Sequence, residues 1–418
     1  MRQFQPFCRI WTMAHRETIA PFAGHTPAKH EGSVKAPIYP TSTFKFTSAE
    51  EGAAHMESAY GVPGAAKPTT PNAIYSRLSN PTLTAAEQRL AAWDESDEAA
   101  FFASGMAAIT TSFLAWTGAD RPLWFCPPLY GGTDHFIREI LPQMGVRVVQ
   151  VDDLSQLDAT LEREGVPGLI HLETPANPTL QLHRIRTAAD WARQHETEDH
   201  RIIVSVDNTY LGPILQRPLE HGADLLLYSA TKYIGGHSDL IAGAASGKSD
   251  VVARVREYRH FLGGMADPNT CWLLLRSMET LAVRVEHQQR VAERVFAHLR
   301  QHPKVSRFIS AWSDDLPESA RAIAAEQMMG GGAMAAFEVP GGRPAAFRVL
   351  NALKHFQLAV SLGSTESLAE HPASMTHAGV PADVKAQYGI TEGLIRISVG
   401  IERPEDLIAD LDQALALV

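Results

Sequence analysis

Asp207 closes the apolar run RIIVSVD, and Lys232 follows the next such run, ADLLLYS, in the turn SATK. A carboxylate and an amine at the ends of consecutive strands, 25 residues apart, have a specific chemical use. The acid can keep a heterocyclic nitrogen protonated while the amine forms a Schiff base with an aldehyde. A buried Asp–Lys ion pair is the competing reading, because buried charges are commonly paired. Asn208 and Thr209 extend the first strand end, and Ser229 and Thr231 stand just before Lys232 on the second. Ser104-Gly105-Met106 lies between an apolar run and a helical pattern. Free backbone N–H groups at such a junction form an anion site, although a serine there can also be a simple helix cap. No GxGxxG follows a strand and no GxxxxGKS/T is present, so dinucleotide and Walker-type sites have no support.

These residues need a scaffold that gathers strand ends. Apolar runs at 99–103, 122–126, 146–151, 168–173, 201–207 and 223–229 alternate with helical patterns such as GMAAITTSFLAWT and LDATLEREG. Short runs each followed by a helix predict an α/β fold with a mostly parallel sheet, buried on both faces, over about residues 85–245. Ligands of such sheets sit at the carboxyl ends of the strands. The segment TLTAAEQRLAAWD predicts an amphipathic helix capped by Thr82 or Thr84. Before it, residues 15–80 carry Pro27, Pro37, Pro40, Pro63, Pro68 and Pro71 and read as an extended arm with turns. After residue 255, DPNTCWLLLRSMETLAVRVEHQQRVAERVFAHLRQH predicts a long helical passage. It leads into a smaller C-terminal α+β domain with MAAFEV, HFQLAVSLG and GLIRISVG as strands. The expected organisation is an arm over 1–80, a large domain over 81–280 and a small domain over 281–418.

Composition narrows the function classes. The 418 residues are 45% hydrophobic and 20% charged, ordinary globular usage. A net charge of −10 without a long basic run argues against nucleic-acid or anionic-membrane binding. Cys8, Cys126 and Cys271 are too few and too scattered for a disulfide framework or a zinc ligand set, and read as reduced thiols. No run approaches the roughly 18 apolar residues of a membrane span. The start lacks a secretory signal, and Met13 is a second candidate initiator, so residues 1–12 receive no function. The expectation is a soluble cytoplasmic protein. An anion site near an Asp and a Lys, without nucleotide fingerprints, points to pyridoxal 5′-phosphate (PLP).

The segment DLLLYSATKYIGGHS (224–238) resembles the lysine signature of the Cys/Met-metabolism PLP enzymes. YSRLSNPT (75–82), SGMAAI (104–109), LYGGT (129–133), ETPANPT (173–179), VDNTY (206–210), VSLGSTESLAEHPASMTHAG (360–379) and GLIRISVGIE (393–402) follow in that family's order. The resemblance runs from about residue 15 to the C-terminus. It implies the type I aminotransferase-like fold, PLP as cofactor, an amino-acid substrate and a homotetramer built from two catalytic dimers. It further implies that Lys232 is the Schiff-base lysine and proton shuttle, that Asp207 pairs with the pyridinium nitrogen, and that Tyr130 stacks on the ring and serves as acid and base at the γ-leaving group. Ser104, Gly105, Met106, Thr209, Ser229 and Thr231 would surround the cofactor and its phosphate, and Asn177 its 3′ oxygen. Tyr75 and Arg77 would reach the phosphate of the neighbouring subunit. Arg396, with Ser361 near it, would bind the substrate carboxylate, and an Arg inside the apolar run GLIRISVG needs an anionic partner in any case.

Two positions bear on the reaction. Cystathionine enzymes of the family typically have a Glu directly before SLG, where this chain has Val360. An apolar side chain offers nothing to a distal ammonium, so methionine γ-lyase chemistry is favoured, giving 2-oxobutyrate, ammonia and a thiol. Methionine γ-lyases usually carry a Cys where this chain has Gly132. Canavanine as substrate, and γ-replacement of the cystathionine γ-synthase or O-acylhomoserine sulfhydrylase type, therefore stay open. Elsewhere, His298 and His302 have the i,i+4 spacing of metal ligands, but no third ligand accompanies them in sequence and they read as a solvated face. His195 and His200 read as surface, Gly330–Gly332 as a turn, and Cys126 as an inert buried thiol. No metal site is expected.

Overall fold

The computed structural model describes residues 15–69, 73–314 and 316–418; Met13, the segment before it, Cys8 and Pro71 lie outside them. The apolar runs become β1 (Glu98–Phe102), β2 (Leu123–Cys126), β3 (Val148–Gln150), β4 (Leu169–Glu173), β5 (Ile203–Asp207) and β6 (Leu225–Tyr228). With β7 (Gly243–Gly247) they form a seven-stranded sheet in the order β1-β7-β6-β5-β4-β2-β3. The five strands from β6 to β3 in that order are parallel, and every residue of β2, β4, β5 and β6 is buried. Helices cover both faces, as such apolar strands require. Parallel alignment puts the carboxyl ends on one edge, and the register pairs Glu173 directly with Asp207.

β7 departs from the sequence expectation. Its residues, GAASG, have poor strand propensity, yet it pairs antiparallel with both β6 and β1. Close approach explains the composition. A Cβ on Gly243 would lie 2.0 Å from the Ser104 carbonyl oxygen, and one on Gly247 would lie 2.2 Å from that of Asp224. Only glycine lets the strand pass the Ser104–Gly105 turn.

The helix Pro81–Asp94 is capped by Asn80, not by the expected Thr82 or Thr84: Asn80 Oδ1 accepts the Thr82 N–H at 2.9 Å. Pro81 at the first helical position makes Asn80 the cap, and the Thr82 hydroxyl donates to the Pro37 carbonyl instead. The arm is less extended than its prolines suggest. Residues Ala49–Ala59 form a helix capped by Ser48, and the buried Arg16 donates to the Pro213 carbonyl at 2.6 Å.

The long helical passage divides into Pro268–Met278 and Leu281–Gln301, interrupted at Glu279–Thr280. A second sheet follows, in the order β10-β11-β12-β9-β8. Its strands are β8 (Arg307–Ser310), β9 (Met334–Glu338), β10 (Gln357–Leu358), β11 (Leu368–Glu370) and β12 (Leu394–Ser398). HFQLAVSLG supplies only the two residues of β10, while β8 and β11 have too few apolar residues to stand out in the sequence. The helices Leu281–Gln301 and Pro404–Leu415 pack Val295, Leu299, Leu407 and Leu411 into one core with β9 and β12. Cys126 and Cys271 are both buried, which pushes their thiols upward. His195, read as surface, ends the helix Ile185–His195 with its ring stacked on Trp191. Among the described residues no helix is long and apolar enough to cross a membrane.

Candidate active site

The carboxyl edge of the large sheet gathers most of the predicted residues. Asp207 ends β5 fully buried; its Oδ1 accepts the Thr209 N–H at 3.0 Å, and burial raises its carboxyl above the usual range. Glu173, the residue opposite on β4, is pushed up to about 8 by burial and by Asp207. Glu173 anchors two other elements of the site. Its Oε2 accepts the Tyr130 N–H at 2.6 Å and its Oε1 the Asn177 N–H at 2.9 Å. One carboxyl therefore holds the loops carrying both residues. Glu173 was not among the residues expected from sequence, although it heads the ETPANPT motif and ends a strand as Asp207 does.

Lys232 does not pair with Asp207. Its Nζ donates to Ser361 Oγ at 2.6 Å, and burial, aided by Arg396, lowers its ammonium to about 8. Ser361 itself adopts a left-handed backbone, φ 94°, uncommon for a residue with a Cβ and characteristic of constrained sites. The Thr209 hydroxyl accepts the Ser229 N–H at 2.8 Å, which links the ends of β5 and β6.

The anion-site candidates converge. Ser104 caps the helix Gly105–Trp116, accepting the Ala107 N–H. A Cβ on Gly105 would lie 2.9 Å from Ser229 Cβ and 3.2 Å from its Oγ, so the Ser229 hydroxyl stands at the helix N-terminus. Thr231 is differently engaged: its hydroxyl donates to the Ala242 carbonyl at 3.1 Å and accepts the Ala242 N–H at 3.0 Å. It fixes the lysine turn and has no proton left for a phosphate.

Arg396 on β12 is buried. Its Nη1 meets Glu370 Oε1 at 2.8 Å and donates to Asn177 Oδ1 at 3.1 Å, while Nη2 donates to the Ser361 carbonyl at 2.6 Å. Its Nε–H is buried without a partner, a donor that an anionic ligand can satisfy. Glu370, opposite Arg396 in the register of β11 and β12, is a second acid absent from the sequence expectation. Val360, beside Ser361, is 53% exposed, and Tyr130 is 41% exposed. A Cβ on Gly132 would lie 2.7 Å from the Tyr130 ring and 3.3 Å from Met106 Sδ, so a cysteine there would displace the ring. Tyr75 and Arg77 stand apart from this group: Arg77 donates to the His260 carbonyl and sits 5.8 Å over the Tyr75 ring.

A lysine with lowered basicity, a buried acid with no ion pair among the described residues, and a helix N-terminus beside a hydroxyl fit PLP. Asp207 lacks a cation that a pyridinium nitrogen supplies. Comparison with known proteins agrees. The family model of the Cys/Met metabolism PLP-dependent enzymes matches residues 17–416. The L-methionine gamma-lyase of Pseudomonas deceptionensis is 38% identical, with 94% of this chain and 95% of that protein covered. That of Porphyromonas gingivalis is 39% identical, with 92% and 93% covered. The solved cystathionine gamma-lyase of Lactobacillus plantarum, complexed with L-serine, superposes with a TM-score of 0.86 at 34% identity over 96% of this chain and 99% of that one. The fold is that of the type I PLP-dependent enzymes. The chain belongs to the Cys/Met metabolism PLP-dependent enzyme family.

Proposed function

We propose that the protein catalyses γ-elimination on a γ-substituted L-amino acid of the methionine type. Methionine and water would give methanethiol, 2-oxobutyrate and ammonium, the thioether Cγ–S bond breaking and the sulfur leaving with a proton. The observation that carries this reading is Val360, half exposed beside the Ser361 that receives the Lys232 Nζ hydrogen bond. A substrate with a distal ammonium would meet an apolar surface there, whereas a thioether is at home. The likeness to L-methionine gamma-lyases over more than nine-tenths of the chain supports it.

When bound, PLP supplies the electron sink that makes loss of the α- and β-protons feasible. Asp207 would hold its ring nitrogen, and Ser104, Gly105, Met106 and Ser229 its phosphate, with Thr209 and Thr231 keeping the strand ends and the lysine turn in place. Asn177 would reach the ring's 3′ oxygen and Tyr130 would lie against the ring. Arg396 would fix the substrate carboxylate, as guanidinium geometry favours, with Ser361 alongside. Lys232 would move protons between the substrate's Cα and Cβ; a value near 8 gives it a substantial neutral fraction at physiological pH. The exposed Tyr130 phenol would protonate the departing sulfur. Tyr75 and Arg77 stand outside this group, which suits an arm, residues 1–80, that completes the site of a second copy in a dimer of dimers; domains over 81–280 and 281–418 would frame the pocket. The protein would work in the cytoplasm.

Gly132 favours a second reading. The Tyr130 ring occupies the space that a side chain at 132 would take, and a pocket shaped this way suits other γ-substituents, such as canavanine or an O-acylhomoserine undergoing replacement by a thiol. The test is 2-oxobutyrate release by purified holoenzyme from methionine, homocysteine, cystathionine, canavanine and O-acylhomoserines, each with and without cysteine. Release from methionine or homocysteine without added thiol is expected. Inertness toward both, with homoserine from canavanine or a new thioether from an acylhomoserine, would replace the first reading by the second.

A further inference from the structure

We propose that His298, His302 and Asp412 form a site for a divalent transition metal of the zinc class, outside the residues gathered around Lys232. His298 lies in the last turn of the helix Leu281–Gln301 and His302 at its C-cap, while Asp412 lies on the C-terminal helix Pro404–Leu415. The third ligand missing from the local sequence is thus 110 residues beyond His302, delivered by helix packing. His298 Nε2 stands 2.6 Å and His302 Nε2 3.6 Å from the same oxygen, Asp412 Oδ1. All three donor atoms lie within 4.8 Å of one another. Ligand bonds of about 2.0–2.2 Å in a tetrahedron separate donors by roughly 3.3–3.5 Å, so rotamer adjustments of about an ångström suffice to close the set around an ion.

The surroundings suit an ion. Val295 and Leu299 pack in one core with Leu407 and Leu411, and Arg294 pairs with Glu405 at 2.7 Å one turn before His298 and two turns before Asp412, so the register that brings Asp412 to the histidines is held independently of any metal. The carboxylate is about half exposed and the His298 ring one-third, leaving room for a water to complete a tetrahedron. Two imidazoles and one carboxylate select zinc, copper, nickel or cobalt over magnesium and calcium. One contact opposes binding. The Lys304 N–H donates to His302 Nδ1 at 3.2 Å, which places the ring proton on Nε2. Ligation through Nε2 moves that proton to Nδ1 and turns the exposed Lys304 amide toward water.

The test uses chelator-stripped holoenzyme titrated with zinc chloride in a calorimeter, beside His298→Ala, Asp412→Ala and Asp412→Asn. Loss of a group that merely orients a ligand costs about 10- to 100-fold in metal affinity. Loss of a ligand is therefore expected to weaken zinc binding by at least about tenfold and to remove one equivalent per chain. Zinc should raise the melting temperature of the unmodified protein only, and magnesium should do neither. Asp412→Asn keeps an oxygen of the same size, so a folding defect in the alanine variants leaves the question answerable. Zinc binding of equal stoichiometry and affinity in all variants, or none in the unmodified protein, would overturn the site.

Discussion

At the scale of single residues, the pocket is organised by two buried acids. Glu173 ties the Tyr130 and Asn177 loops together, and Glu370 holds Arg396 alongside Ser361 and Asn177. Arg396 therefore makes a forked set of contacts that lysine, a single point charge, cannot reproduce. Charged hydrogen bonds are worth about 1.5–3 kcal/mol each. Arg396→Lys is expected to raise KM for the amino-acid substrate about 10- to 100-fold with a smaller effect on kcat, measured as initial rates of 2-oxobutyrate release. An unchanged KM would remove Arg396 from the carboxylate site. Asp207 and Lys232 stand out in the sequence because the first closes an apolar strand and the second lies in the turn just after one, each a charged type beside a buried run. Glu173 and Glu370 do not, since nothing local says that two surface-type residues become the struts of a pocket; only the strand register does.

At the scale of elements, the strand β7 governs the anion site. Its glycine content reads as a turn or loop, which is why it escapes a propensity-based reading, yet Gly243 abuts the Ser104 carbonyl. A backbone atom cannot swing aside as a side chain can. Gly243→Ala is expected to cost about 1–3 kcal/mol as overpacking and to push the Ser104–Gly105 turn away from Ser229, so that PLP is lost more readily on dialysis. Gly118→Ala is the control, because nothing lies within 4 Å of a Cβ there. Absorbance of the retained cofactor measures both. The parallel core was legible for the opposite reason: strands buried on both faces are uninterrupted apolar runs. The helix start at Asn80 was misread because three polar residues compete for the cap and Pro81 decides among them.

At the scale of the whole molecule, four buried histidines each make the fold more sensitive to acid. Burial lowers His171 to about 3 and His183, His260 and His377 to about 4. The unfolded chain takes these protons near 6.5 while the folded one refuses them until far lower pH, so their contribution to stability falls as pH drops from about 6.5 toward 4. Buried carboxyls work in the other direction: Asp94 is raised to about 6 and Glu173 to about 8, and Asp207 and Glu370 are raised as well, so the histidine contribution has to be read one residue at a time. Urea unfolding at about pH 5 to 6.5, compared between the unmodified protein and His171→Asn, isolates one such contribution: the variant's stability should fall less steeply with acid, by up to about 1.4 kcal/mol per pH unit. The proposed sharing of the site between copies predicts complementation: Arg77→Ala and Lys232→Ala subunits, each inactive alone, should regain activity when mixed. A well-folded hybrid without activity would place Arg77 outside the site. One more consequence follows from where the cysteines lie. The proposed reaction releases a thiol, and an accessible protein thiolate attacks the disulfide formed when such a thiol is oxidised, leaving a mixed disulfide and a free thiolate. Cys126 and Cys271 are buried and held protonated, and Gly132 places no thiol beside Tyr130. Among its described residues the enzyme therefore offers no accessible thiolate to mixed-disulfide formation.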